Sequence, residues 1–169
     1  MYTYDEVSSV VLSGQALGGN LTSVKYPNGL RRMYHYNEQI HTANTNLPNA
    51  LTGISNEVAP GVFERYGIYK YDNQGRAVST EHVGGVDRYN VNYVIPYQQS
   101  VITDPLGVQR TYGFTTVLGV VKQSSLNQPA GSGCGPASSA ISYDTQANVS
   151  SRTDFNGIKT CYAYDLSRN

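Results

Sequence analysis

The feature that most constrains this chain is a tyrosine pair, Tyr-x-Tyr, that keeps returning and is followed by a turn-forming residue. The pair stands at Tyr2/Tyr4, Tyr34/Tyr36, Tyr69/Tyr71 and Tyr162/Tyr164, with Tyr112/Phe114 as a variant. Asp5, Asn37, Asp72 and Asp165 follow directly. Residues two apart share one face of a strand. Aspartate and asparagine bond to nearby backbone and tolerate left-handed geometry. The pattern therefore reads as strand, tight turn and return strand, repeated, so the chain is first of all a repeat protein.

Turn signals sit between the pairs. They are Pro27-Asn28-Gly29, Asp104-Pro105-Leu106-Gly107 and Asp154-Phe155-Asn156-Gly157, and the fullest opening is Tyr71-Asp72-Asn73-Gln74-Gly75-Arg76. Asn-Gly between two strand-like runs predicts a hairpin joining Leu21–Tyr26 to Leu30–Tyr36. Tyr89, Val91, Tyr93, Ile95 and Tyr97 alternate on one face, which predicts a strand that Pro96 ends or places at an edge. Thr115–Lys122 reads as one further strand. Tyr143-Asp144 opens the closing unit with Ala147 where the glycine belongs, which predicts an altered turn.

Four irregular units follow, at 1–37, 66–97, 101–122 and 141–165, separated by insertions at 38–65 and 123–140. The first insertion is rich in Asn, Pro and Gly and leaves room for one short strand, with a helical turn over Glu38–Ala43. The fold class expected is all-β: antiparallel hairpin repeats forming a curved sheet strip with little helix. Fifteen tyrosines, seventeen glycines and no tryptophan suit short strands and turns, not a helical bundle.

Formal net charge is zero, so no global field draws the chain to nucleic acid. No apolar run approaches a membrane span. The N-terminus, Met1-Tyr2-Thr3-Tyr4-Asp5, lacks the basic and apolar regions of a signal peptide. The C-terminus stops as another Tyr-Asp opening begins, and the expectation is a piece of a longer array.

Little in the chain proposes chemistry. Gly131-Ser132-Gly133-Cys134-Gly135 lacks the Gly-Lys-Ser/Thr of a phosphate loop and reads as a surface loop. Cys134 and Cys161 have no metal-site spacing, and a disulfide in an exported protein and two free thiols both stay open. His35, His41 and His82 are scattered, and Asp72, Asp87, Asp104, Asp144 and Asp154 fall at expected turns. An Asp87/Asp104 glycosidase pair is not required by anything in the sequence. Asn20-Leu21-Thr22 and Asn148-Val149-Ser150 match the glycosylation pattern, and neither is expected to be used. No catalytic, cofactor-binding or metal-binding residue is nominated. Tyrosine-rich faces carry two readings: paired rings that cement successive strands, or exposed rings that stack on a sugar.

Tyr-Asp-x-x-Gly-Arg followed by a hydrophobic residue, a glycine turn and Tyr-x-Tyr resembles the YD repeat of Rhs proteins. The likeness runs through most of the chain, with departures at residues 5–18, 38–65 and 123–140. The resemblance makes structural repeat positions of Tyr4, Asp5, Tyr34, Tyr36, Tyr69, Tyr71, Asp72, Gly75, Arg76, Asp104, Gly107, Tyr112, Tyr143, Asp144, Asp154, Gly157, Tyr162, Tyr164 and Asp165. The resemblance implies a long β-strip that spirals into a hollow shell. In bacterial Rhs and insecticidal toxin-complex proteins the shell encloses a C-terminal toxin, and teneurins use a related shell in cell adhesion. It implies a secreted or bacterial-surface protein. Its partners would be the remaining repeats, a C-terminal toxin domain, and further copies pairing at open sheet edges. Self-cleavage, frequent in such proteins, is not carried over, because no Asp pair stands in its context. The alternative from another class is a cell-surface carbohydrate-binding or adhesion module that uses exposed tyrosines.

Overall fold

The computed structural model describes residues 2–4 and 19–165, which group into two compact units divided between Arg88 and Tyr89. The expected all-β fold is what the chain adopts. The first unit holds β1 (Tyr2–Tyr4), β2 (Leu21–Lys25), β3 (Arg31–Tyr36), β4 (Leu51–Ala59), β5 (Val62–Tyr71) and β6 (Ala77–His82). Each pairs antiparallel with the next in chain order. β7 (Val86–Ile95) begins in this unit and continues into the second, with β8 (Gln99–Thr103), β9 (Gln109–Val117), β10 (Val120–Gln128), β11 (Ala137–Tyr143), β12 (Val149–Thr153) and β13 (Lys159–Cys161). There too each strand pairs antiparallel with its successor. Among the described residues helix is confined to two 3₁₀ turns, Gln39–His41 and Val83–Gly85. No described helix is long and apolar enough to cross a membrane.

Within each unit the described strands form a single layer. Among the described residues no apolar side chain is buried, and the buried polar ones are Thr42, Thr52, Ser55, Glu57, Glu81 and Ser151. A sheet normally buries its apolar face against another element. Here strand-borne rings and aliphatics such as Tyr66, Tyr89, Val62, Val94 and Ile95 stay exposed. Holding power therefore rests on the ladders, the turns and cross-strand side-chain pairs.

Four stretches differ from the sequence expectation. Residues 123–140, read as an insertion, hold the end of β10 and the start of β11. Residues 38–65, read as an insertion with one short strand, contain all nine residues of β4 and open β5, turning at Pro60-Gly61. Pro60 suits the second place of that turn and Gly61, at φ 78°, the third. Residues 115–122 are two strands, not one, joined at Leu118-Gly119, where Val117 faces Val120. Both turn residues have positive φ, 50° and 78°, the arrangement that follows strand twist in a two-residue hairpin. Asp87 lies inside β7 at φ 50° and not at a turn. The helical turn expected near Glu38–Ala43 is the 3₁₀ turn at Gln39–His41, and Pro96 does follow the last residue of β7.

Candidate functional site

Among the described residues the recurring Asp turn is built the same way four times. The backbone N–H of Asp72 donates to the carbonyl of Arg76 at 3.0 Å, and Gly75 N–H returns a bond to Asp72 at 3.0 Å. Oδ1 of Asp72 accepts from the N–H groups of Gln74 and Arg76, both at 2.9 Å. Asp104, Asp144 and Asp154 repeat every one of these bonds within 0.2 Å. The fourth residue is left-handed each time: Gly75 at 76°, Gly107 at 80°, Ala147 at 67° and Gly157 at 81°. Ala147 therefore keeps the turn it was expected to alter. Partial burial pushes the carboxyls of Asp72, Asp104 and Asp144 up, but the bonds they accept outweigh it and hold all three below the usual carboxylate range.

The tyrosine before the turn does a different job. Its backbone sits just past a register shift with the following strand, at His35/Tyr36, Lys70/Tyr71 and Ser142/Tyr143, and Tyr4 stands past the same shift at Thr3/Tyr4. The extra residue lies on the following strand, at Thr52, Val78 and Ser150 in turn, and bends that strand and increases its twist. The tyrosine hydroxyl reaches the opposite way, to a carbonyl of the preceding strand. Tyr36 donates to Leu21 at 3.1 Å, Tyr71 to Leu51 at 2.9 Å, Tyr143 to Gln123 at 2.8 Å and Tyr164 to Val149 at 3.0 Å. The Tyr-Asp dipeptide thus couples three strands: a bulge on one side, a hydroxyl tie on the other, and a turn at its end.

Tyr36-Asn37 is an expanded form of this device. Asn37 N–H donates to Ala50 at 3.1 Å, closing an excursion over residues 37–50 where the other units place a four-residue turn. Oδ1 of Asn37 accepts from Leu47 N–H at 2.7 Å. The excursion delivers Glu38 to the sheet, where its carboxylate accepts from Arg65 at 3.2 and 2.5 Å and from the Thr52 hydroxyl at 2.7 Å. Arg65 also donates to the Thr52 and Gly67 carbonyls. Gly53 makes the room, since a Cβ there would meet the guanidinium at 1.9 Å. Across the same unit Arg31 pairs with Glu57 at 3.2 Å, and Glu81 takes both Lys70, at 3.1 Å, and Arg88.

These charges settle in their ionised forms. Burial raises the Glu38 and Glu81 carboxyls, but their cationic partners lower them further. Glu57 is lowered by the Gly61 N–H and then by Arg31. Burial, reinforced by Arg65, keeps His35 and His41 below the usual imidazole value. His35 Nε2 lies 2.8 Å from the Ser55 hydroxyl, while His41 Nδ1 is buried with no hydrogen-bond partner.

The nominated residues therefore fall into turn positions, at Asp72, Asp104, Asp144 and Asp154, and tie positions, at Tyr36, Tyr71, Tyr143 and Tyr164. Tyr34 and Tyr69 lie two residues before a tie on β3 and β5, and Tyr112 lies in β9. Arg76 clamps its own turn through Asp72 at 2.7 Å. Asp5 lies outside the described residues. Tyr162 and Tyr164 fall beyond β13, although Tyr162 N–H still bonds to Ser150 at 3.0 Å. Asp165 likewise follows the strand. The Glu38–Arg65–Thr52 cluster was not read from the sequence, and its members lie up to 27 positions apart. Both cysteines are exposed free thiols. No group of three metal-capable side chains occurs among the described residues. No protein-family model and no curated protein matches the chain.

Proposed function

We propose that this chain is a non-catalytic structural segment of a Rhs-like YD-repeat protein. Its strands would form part of a β-wall that encloses or presents a C-terminal toxin or effector, in a secreted or bacterial-surface polypeptide. The observation that supports this reading best is the absence of any buried apolar side chain among the described residues, beside a turn-and-tie device repeated along the chain. A sheet without a core gains little by standing alone and much from continuing into neighbours of the same build. The mechanism is containment: each hairpin adds to the last, and each bulge adds bend and twist.

Light scattering and far-UV circular dichroism on one sample test it. Open edges carry free donors and acceptors. The expected result is a β-rich oligomer that dilution does not quickly dissolve. A stable β-rich monomer resisting thermolysin would overturn the reading.

A further inference from the structure

Asp154 breaks the pattern of the recurring turn. In the other three turns a side chain holds the second carboxylate oxygen. Arg76 holds Asp72 at 2.7 Å, Arg110 holds Asp104 at 3.0 Å and Asn148 holds Asp144 at 3.3 Å. The corresponding places after Asp154 are Ile158 and Thr160, and its Oδ2 has no partner among the described residues.

Arg152 breaks a second pattern. Six of the seven described arginines hold a side-chain acceptor: Arg31 with Glu57, Arg32 with Asn56, Arg65 with Glu38, Arg76 with Asp72, Arg88 with Glu81 and Arg110 with Asp104. Arg152 holds none. It stands on β12 between Ile141 of β11 and Thr160 of β13. Arg152 and Asp154 line one open groove with Ile141, Phe155, Thr160 and Tyr162. Phe155 and Tyr162 are 40% and 43% exposed, so both rings are accessible from solvent.

An unpaired cation, a carboxylate with one open oxygen and two accessible rings suit one ligand chemistry. We propose that this groove binds a neutral pyranose, free or at the end of a glycan. Vicinal sugar hydroxyls donate to a carboxylate and accept from a guanidinium at the same time. The C–H face of the ring lies flat on an aromatic side chain. A purely anionic ligand would satisfy Arg152 but set like charge against Asp154, and a purely apolar one would desolvate both without partners. The proposal rests on β11–β13 alone and is independent of the repeat-wall reading.

Saturation-transfer NMR on the full chain tests it, with methyl α-mannopyranoside, methyl β-galactopyranoside and methyl β-glucopyranoside as neutral probes and methyl β-glucuronide as the acidic one. The expected result is transfer to ring C–H protons of at least one neutral glycoside, at millimolar affinity. Arg152→Gln should weaken it about tenfold, and Tyr162→Ala should remove it. Arg152 ties nothing together, so circular dichroism of R152Q should match the parent. No transfer to any neutral glycoside, transfer undiminished in R152Q, or transfer to the glucuronide alone would each overturn the proposal. The solution mass that tests the wall reading does not depend on any of these outcomes.

Discussion

The hydroxyl of Tyr71 donates to the carbonyl of Leu51 at 2.9 Å, on the strand before it, while its backbone pairs with Ala77 just past an extra residue, Val78, on the strand after it. Burial, with a contribution from Tyr69, holds this phenol above its usual pKa, so it remains a donor well into alkaline solution. Tyr71→Phe keeps the ring and removes only the bond. It should cost about 1 kcal/mol, as should Tyr143→Phe. Tyr97→Phe, at a residue 77% exposed, should change stability by less than about 0.5 kcal/mol. Urea unfolding followed by far-UV circular dichroism checks the contrast, and equal effects at all three positions would remove the tie from the account.

Ala147 occupies a left-handed position that glycine fills in the three sister turns. An L-residue there costs roughly 1–2 kcal/mol, partly offset because glycine loses more freedom on folding. Ala147→Gly should therefore stabilise the closing unit by up to about 1 kcal/mol. Gly75→Ala should destabilise by a similar amount, and its Cβ would also sit 3.4 Å from Leu47 Cδ2. A rise in the urea midpoint for the first variant and a fall for the second is the expected pair of results. A fall in both would mean that the Lys122 ammonium, which donates to the Ala147 carbonyl at 2.7 Å, fixes a geometry that glycine loosens.

The turns were legible because their chemistry is local: an aspartate, with a left-handed residue (usually glycine) three places later, sets the backbone bonds of Asp72–Arg76. The Leu118-Gly119 hairpin was not, because leucine gives no signal for the positive φ it adopts and the strands on either side read as one run. β4 was hidden by its own buried face, Thr52, Gly53, Ser55 and Glu57, which carries polar groups where a strand normally shows apolar alternation. Nothing local links Glu38 to Arg65, so the cluster appears only when the ladder brings them together. The open carboxylate of Asp154 was legible in principle, since Ile158 stands where Arg76 and Asn148 stand in the sister turns.

Gly53 lies under the Arg65 guanidinium, and Gly53→Ala would place a methyl group 1.9 Å from Nη2. The backbone of β4 is fixed by ladders on both sides, so the flexible arginine must move and leave Glu38. The carboxylate, 33% exposed while paired, then loses its cation. Allowing for that exposure, the loss should be about 1–2 kcal/mol. Arg65→Met in the G53A background should add little further, because the bond is already gone. A full second loss in the double variant would show that Arg65 keeps its partner and that the clash relaxes elsewhere.

Acid should weaken the first unit in two stages. His35 and His41 are held below the imidazole value of 6.5, first by burial. Between the unfolded and folded values the unfolded chain binds more protons, so stability rises with pH. Their contribution is complete above about pH 6.5 and is lost as pH falls through the lowered folded values. Glu38 and Glu81 act next: their unfolded value is 4.5 and their folded values are lower, so a second loss begins near there. His41 Nδ1 is buried with no hydrogen-bond partner, and after burial Arg65 and Lys70 hold its pKa down against Glu38 and Glu81, which raise it. His41→Gln should therefore flatten the upper stage in a plot of unfolding free energy against pH and leave the lower one in place. An unchanged upper stage in H41Q would assign it to His35 alone, and its absence from the parent would remove both histidines from the pH response.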